Sequence, residues 1–163
     1  MAETVTVCVA LGSNLDDPRA QVERGFAALA ALPRTALRVR SRLYRTPPWG
    51  MLDQPDFINA AARLETTLAP RELLDALRAI EVRAGRVREA RNGPRTLDLD
   101  LLLYGDRVVD EPDLVVPHPR LHERAFVLLP LADVAPELEV PGHGRVAELL
   151  KRVDTAGCVP LIA

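Results

Sequence analysis

Apolar and polar positions alternate through residues 4–11, where Val and Thr are frequent, so a half-buried strand is expected there, ending at Gly12-Ser13-Asn14. Asp17-Pro18 then reads as a helix start, and Val22, Phe26 and Leu29 recur at helical spacing up to the Pro33 break. Leu37, Val39, Ser41 and Leu43 alternate as a second strand, which the rigid Thr46-Pro47-Pro48-Trp49-Gly50 loop ends. After a Gln54-Pro55-Asp56 turn, residues 57–68 form a third predicted strand. Pro70 opens a second helix carrying Leu73, Leu74, Leu77, Ile80 and Ala84 on one side, with Gly85 as its C-terminal cap. An arginine-rich segment, 86–95, leads into a fourth strand that runs to Leu103 and Tyr104 before the Gly105-Asp106 turn.

The predicted order is β-α-β-β-α-β, the split βαβ or ferredoxin-like arrangement. The fold class expected is therefore α+β, an α/β sandwich, with additional C-terminal strands and short helices in the remaining third of the chain. With 163 residues, 48% of them hydrophobic, the chain can bury one good core, so a single domain over residues 1–163 is expected. The start lacks the basic and small-residue regions of a secretory signal, and no stretch approaches the length of a membrane span. Cys8 and Cys158 lie at opposite ends without metal-site spacing, which favours a reducing, cytoplasmic setting over a disulfide framework.

A net charge of −2 argues against broad affinity for nucleic acid, but Arg83, Arg86, Arg88, Arg91 and Arg95 are crowded together. The sole lysine is Lys151, so a Walker A loop ending in Gly-Lys-Ser/Thr is absent, as is the kinase-type Val-Ala-Ile-Lys strand. Any triphosphate must then be handled by guanidinium forks and metal ions. Asp98 and Asp100 fit that need, because residues two apart on a strand project from one face, with Cα atoms roughly 7 Å apart. Leu97, Leu99 and Leu101 take the opposite face. An isolated Asp-x-Asp is more often a wet strand face; the neighbouring Gly93-Pro94-Arg95 shifts the balance toward a magnesium and polyphosphate site.

Four separated blocks, in order, resemble the 6-hydroxymethyl-7,8-dihydropterin pyrophosphokinase family of folate biosynthesis. They are Leu11-Gly12-Ser13-Asn14-Leu15; Tyr44-Arg45-Thr46-Pro47-Pro48 with Asp53-Gln54-Pro55-Asp56-Phe57-Ile58-Asn59; Gly93-Pro94-Arg95-Thr96-Leu97-Asp98-Leu99-Asp100; and Val116-Pro117-His118 with Arg124-Ala125-Phe126. The resemblance implies transfer of the terminal pyrophosphoryl group of ATP to the hydroxymethyl oxygen of the pterin, leaving AMP. It also implies two Mg²⁺ ions on Asp98 and Asp100, with Arg86 and Arg95 as catalytic cations. ATP would further meet Glu81, Arg88, Leu101, His118 and Arg124. The pterin would lie between Phe57 and Phe126, read by Asn59, with Thr46, Pro47 and Trp49 at the rim.

The chain departs from the family pattern at Asn92, at Pro119, near Arg78 and in an arginine segment one residue shorter. Residues 86–92, bracketed by Gly85 and Gly93, are expected to close over both ligands. His122, four residues after His118, has no third metal ligand in view and is read as surface. The partners expected are small molecules, without nucleic acid or membrane, and the chain is expected to act as a monomer. An RNA-binding module would need sheet aromatics in an RNP-like pattern, which are not evident; a magnesium-dependent phosphohydrolase would release inorganic phosphate without any pterin.

Overall fold

The structure, a computed structural model, describes residues 3–48, 53–85 and 96–161. The expectations for Trp49, for Arg86, Arg88, Asn92 and Arg95, and for closure of the arginine segment lie outside the described residues. The elements follow the predicted order: β1 (Val5–Ser13), α1 (Pro18–Ala30), β2 (Thr35–Arg40), β3 (Tyr44–Thr46), β4 (Phe57–Thr66), α2 (Pro70–Arg83) and β5 (Asp98–Tyr104). Beyond them lie β6 (Val109–Glu111), β7 (Leu114–Val116), α3 (Ala125–Val134), β8 (Glu139–Val140), β9 (Gly144–Arg145), α4 (Val146–Leu150) and β10 (Val159–Pro160).

β5, β1 and β4 are antiparallel neighbours, and β2 and β3 both pair with the far side of β4. This is the expected ferredoxin-like sheet, to which β10 adds a short outer strand beside β3. Three boundaries differ from expectation; the strand expected over residues 57–68 ends at Thr66, whose hydroxyl accepts the Leu68 amide. The first strand does not stop at the Gly12-Ser13-Asn14 turn, because Gly12 and Ser13 pair with Asn59 and Ile58. The second strand is split into β2 and β3: the Ser41 hydroxyl accepts the Ala61 amide at 2.7 Å, so a side chain replaces a rung of the ladder.

The helix ends follow the local chemistry. Asp17, at φ 62°, accepts the Ala20 amide with its side chain, and Pro18 follows in the first turn. Glu72 accepts the Ala69 amide at 2.9 Å at the start of α2, and Gly85, at φ 87°, ends that helix in the left-handed region.

Both faces of the sheet are covered. On one, Val7, Val9 and Leu11 meet Phe26 and Leu29 of α1 and Leu73, Leu77 and Ile80 of α2. On the other, Cys8, Ala61, Leu102 and Leu103 meet Leu128 and Leu131 of α3 and Val146 and Leu149 of α4. Each such fully buried leucine contributes about 1.5–3 kcal/mol relative to exposure. The β1–β5 register shifts between Cys8 and Val9, opposite Leu103 and Leu101, so β5 carries an extra residue there. Leu102 and Leu103 consequently enter the same core. Ahead of the bulge strict alternation holds: Leu97, Leu99 and Leu101 sink toward α1 and α2, while Asp98 and Asp100 are left half-buried on the α3 side.

Candidate active site

One cross-strand row organises the α3 side of the sheet. Gly12 lies opposite Asp98 on β5 and opposite Asn59 on β4, and Asn59 lies opposite Tyr44 on β3. The next rung places Ala10 between Asp100 and Ala61. Two strand spacings, about 10 Å, therefore separate the Asp98 and Asn59 backbones, and Gly12 leaves the ground between them open. The Asn59 amide borders this room, for a Cβ built on Gly12 would sit 2.6 Å from Asn59 Oδ1. The other end of the amide is fixed, since Asn59 Nδ2 donates to Thr46 Oγ1 at 2.6 Å and Thr46 is itself buried. Phe57, two residues before Asn59, shares its face and is half-buried.

The carboxylates look out on a second space. A cleft of about 350 Å³ at the β5 edge is lined by Asp98, Asp100, Glu81, Leu101, Arg78 and His118, with Asp113 and Val115 of the β6–β7 hairpin opposite. Glu81 is only 5% exposed, and its carboxylate accepts the outward Leu99 amide at 2.8 Å, tying α2 to β5 between the two aspartates. His118 donates its backbone N–H to Leu102 O at 3.1 Å. Burial of its ring lowers the imidazole pKa, Arg124 adds to that, and Asp98 opposes it. The Arg124 pKa is lowered first by burial and then by Arg120, while Asp100, Glu123 and Asp98 pull it back up. A cation, a histidine and two carboxylates thus share one partly desolvated neighbourhood. The Arg124 guanidinium also lies 5.6 Å from the ring centre of Phe126, in the first turn of α3.

Among the described residues no group of three or more His, Cys, Asp or Glu side chains could hold a metal. Two aspartates on one face suit an ion of a different kind: Mg²⁺ takes oxygen ligands and is commonly held by one or two carboxylates together with substrate phosphates and water. The donor set therefore fits a cation that arrives with a polyphosphate.

Residues 8–136 match the family described as 7,8-dihydro-6-hydroxymethylpterin-pyrophosphokinase. The chain belongs to this family. It is a pyrophosphokinase of folate biosynthesis that acts on a pterin and uses ATP. It is 54% identical over 144 residues to the 2-amino-4-hydroxy-6-hydroxymethyldihydropteridine pyrophosphokinase of Pseudomonas aeruginosa, covering 88% of this chain and 89% of that one. The Haemophilus influenzae enzyme of the same name is 44% identical, covering 91% and 92%. Among solved structures, the Plasmodium falciparum HPPK-DHPS wild type with pteroate superposes with a TM-score of 0.73 over 93% of this chain at 14% identity, which supports the fold alone. The chain spans 43% of that longer protein.

For a pterin pyrophosphokinase the described candidates fall into two connected groups. Asp98, Asp100, Glu81, Leu101 and His118 line the cleft, with Arg124 within electrostatic reach. Thr46, Phe57 and Asn59 share a sheet face facing α3, Pro47 is exposed just past β3, and Phe126 is half-buried beside the second core. Of the three phenylalanines, Phe26 is core and the other two keep partly open rings on the site's side.

His122 departs from the surface reading. It is half-buried, stacks on His143 with ring centres 3.8 Å apart, and has a buried Nδ1. The β8–β9 turn comes back to cover it, a contact that has no local signal. Two further positions shape the site. Gly12, expected at the turn that ends the first strand, lies within it and lets the Asn59 amide approach closely. Asn14, 2% exposed, donates to Gln54 Oε1 and Pro55 O, each at 2.9 Å, and so fastens the turn leading to Phe57.

Proposed function

We propose that the chain transfers the terminal pyrophosphoryl group of ATP to the hydroxymethyl oxygen of 6-hydroxymethyl-7,8-dihydropterin, giving AMP and the pterin diphosphate, with Asp98 and Asp100 holding two Mg²⁺ ions. The observation that carries this reading is the row Asn59, Gly12, Asp98, which joins an amide-and-aromatic platform to a carboxylate-lined cleft across one open glycine. ATP occupies the cleft beside Glu81, Leu101 and His118, its phosphates directed at the aspartates. The pterin lies against Phe57 and Phe126, with Thr46, Pro47 and Trp49 at its rim. Asn59 presents to the heterocycle's polar edge an amide whose orientation Thr46 fixes.

In the reaction the hydroxymethyl oxygen forms a bond to the β-phosphorus as the bond to the α-phosphate oxygen breaks, so AMP leaves with that oxygen and the hydroxyl proton is released. Such transfers depend mainly on positioning and charge stabilisation. When bound, Mg²⁺ would screen the polyphosphate and orient it for in-line attack. Arg86 and Arg95 supply cationic charge to the transferring group, and Arg88 and Arg124 hold ATP phosphates. The chain acts as a monomer. One domain is the working unit, since β10 returns to the same sheet as β1. Use of ATP is in keeping with a cytoplasmic setting. Among the described residues no helix is long and apolar enough to cross a membrane.

The test is a mixture of protein, Mg²⁺, ATP and 6-hydroxymethyl-7,8-dihydropterin, with nucleotide products resolved by chromatography. AMP formed in step with pterin diphosphate is expected. ADP, or phosphate released without the pterin, would overturn the reading.

A further inference from the structure

The proposed pterin platform needs a fixed ceiling. α3 supplies Phe126 near its start; Val127, Leu128 and Leu131 pack the helix on the sheet, and a directional polar tie that fixes its setting is found in its last turn. Asp133 accepts four hydrogen bonds: from the Arg42 backbone N–H at 3.2 Å, from Arg42 Nε at 3.2 Å and Nη2 at 3.0 Å, and from the Tyr44 hydroxyl at 2.8 Å. Tyr44 is 1% exposed and lies directly opposite Asn59.

The helix geometry links the two ends. Phe126 and Asp133 are seven residues apart, close to two full turns, so they project from nearly the same side of α3, about 10 Å apart along its axis. From Arg124, within electrostatic reach of the β5 aspartates, to Asp133 the helix rises about 13 Å, packed chiefly on β4. α3 is thus a strut whose last turn is tied both to β4, where Arg63 donates to Val134 O at 3.2 Å, and through Asp133 to the strand that orients Asn59.

We infer that Asp133 is a positioning residue for the pterin: by clamping α3 to Arg42 and Tyr44 it sets the gap between Phe126 and the Phe57–Asn59 platform. The inference rests on the functional reading above. Of the groups assigned to ATP only Arg124, at the start of α3, belongs to this helix, whereas the ATP cleft itself is built from α2, β5 and the β6–β7 hairpin, so a shift of α3 falls chiefly on the pterin. Loss of the clamp therefore separates the two substrates kinetically, which a general loss of stability would not do.

The experiment is steady-state kinetics on Asp133→Ala, Asp133→Asn and Tyr44→Phe, each substrate varied at saturating partner. Glu65→Gln, which breaks the exposed Arg38–Glu65 pair between β2 and β4, is the control. Asp133→Ala should raise KM for the pterin about tenfold, with KM for ATP within about twofold and kcat within about threefold. Asp133→Asn, which keeps the shape and part of the acceptor capacity, should recover part of that loss, and Glu65→Gln should match wild type. Equal rises in both KM values, or no rise for the pterin, would overturn the inference. Should Asp133→Ala not fold, Tyr44→Phe decides: a rise of about threefold confined to the pterin KM supports the clamp, and an unchanged value refutes it. Wild type that makes no AMP would refute the functional reading, whereas active wild type with unaltered variants would refute only the strut.

Discussion

Replacing Gly12 with alanine tests the platform, because it should weaken pterin binding more than it weakens the fold. The new methyl would lie 2.6 Å from Asn59 Oδ1, whereas its other near neighbours, Asn59 Cγ and Ile58 O, are at 3.8 and 3.9 Å. Restoring ordinary contact requires the amide oxygen to retreat by roughly 1 Å. A side-chain amide can do this by rotating, at the expense of its 2.6 Å bond to Thr46. That bond is worth about 1 kcal/mol net, and an alanine in a strand recovers about 0.5–1 kcal/mol of chain entropy relative to glycine. The folded state should therefore lose less than about 1 kcal/mol, with a melting temperature within a few degrees of wild type. The pterin, by contrast, should lose its amide contact and its flat approach to the sheet, about 1–2 kcal/mol, or about fivefold to thirtyfold in affinity. Calorimetric titration with pterin, alongside thermal melts, checks both. Wild-type pterin affinity in a folded Gly12→Ala protein would show that Asn59 and the glycine gap do not form the binding surface.

Asp98→Asn and Asp100→Asn should each lower turnover by more than about a hundredfold while leaving the melting temperature within a few degrees, since a strand-edge carboxylate facing a cleft stabilises bound charge more than the fold; near-normal rates in either would remove its metal role. Chelating divalent cations should abolish AMP formation, and restoring Mg²⁺ should recover it. Arg95→Ala should depress kcat more than pterin affinity, as read by single-turnover kinetics. Cys8 is fully buried with its thiol pKa pushed up to about 12, so at pH 8 an alkylating reagent should label half-buried Cys158 slowly and Cys8 only after denaturation, as mass spectrometry would show. Burial, then the bond to Asp133, raises the Tyr44 hydroxyl from its usual 10.0 to about 12. A raised folded pKa means that this contribution to stability is complete below pH 10 and lost as pH climbs through about 12. Between those limits wild type should therefore weaken more steeply than Tyr44→Phe in denaturant titrations.

The order of elements is legible in local spacing, because period-two and helical patterns are short-range and each is punctuated by its own Pro, Gly or Asp. That Asp98 and Asp100 share a face is equally local, since pleating leaves a strand no choice. The four motif blocks pointed to the family and to Phe57, Asn59, His118 and Arg124. How those blocks meet depends on long-range packing. Which strand faces Gly12, where the β1–β5 bulge ends the alternation, and that Ser41 divides one expected strand in two are set by pairing with residues tens of positions away. The Asp133 clamp shows the reason most clearly: its partners lie 91 and 89 residues earlier in the chain, and a half-buried carboxylate is satisfied by whatever donors the packed sheet brings to it. Local pattern fixes which way a side chain points; long-range pairing fixes what it meets.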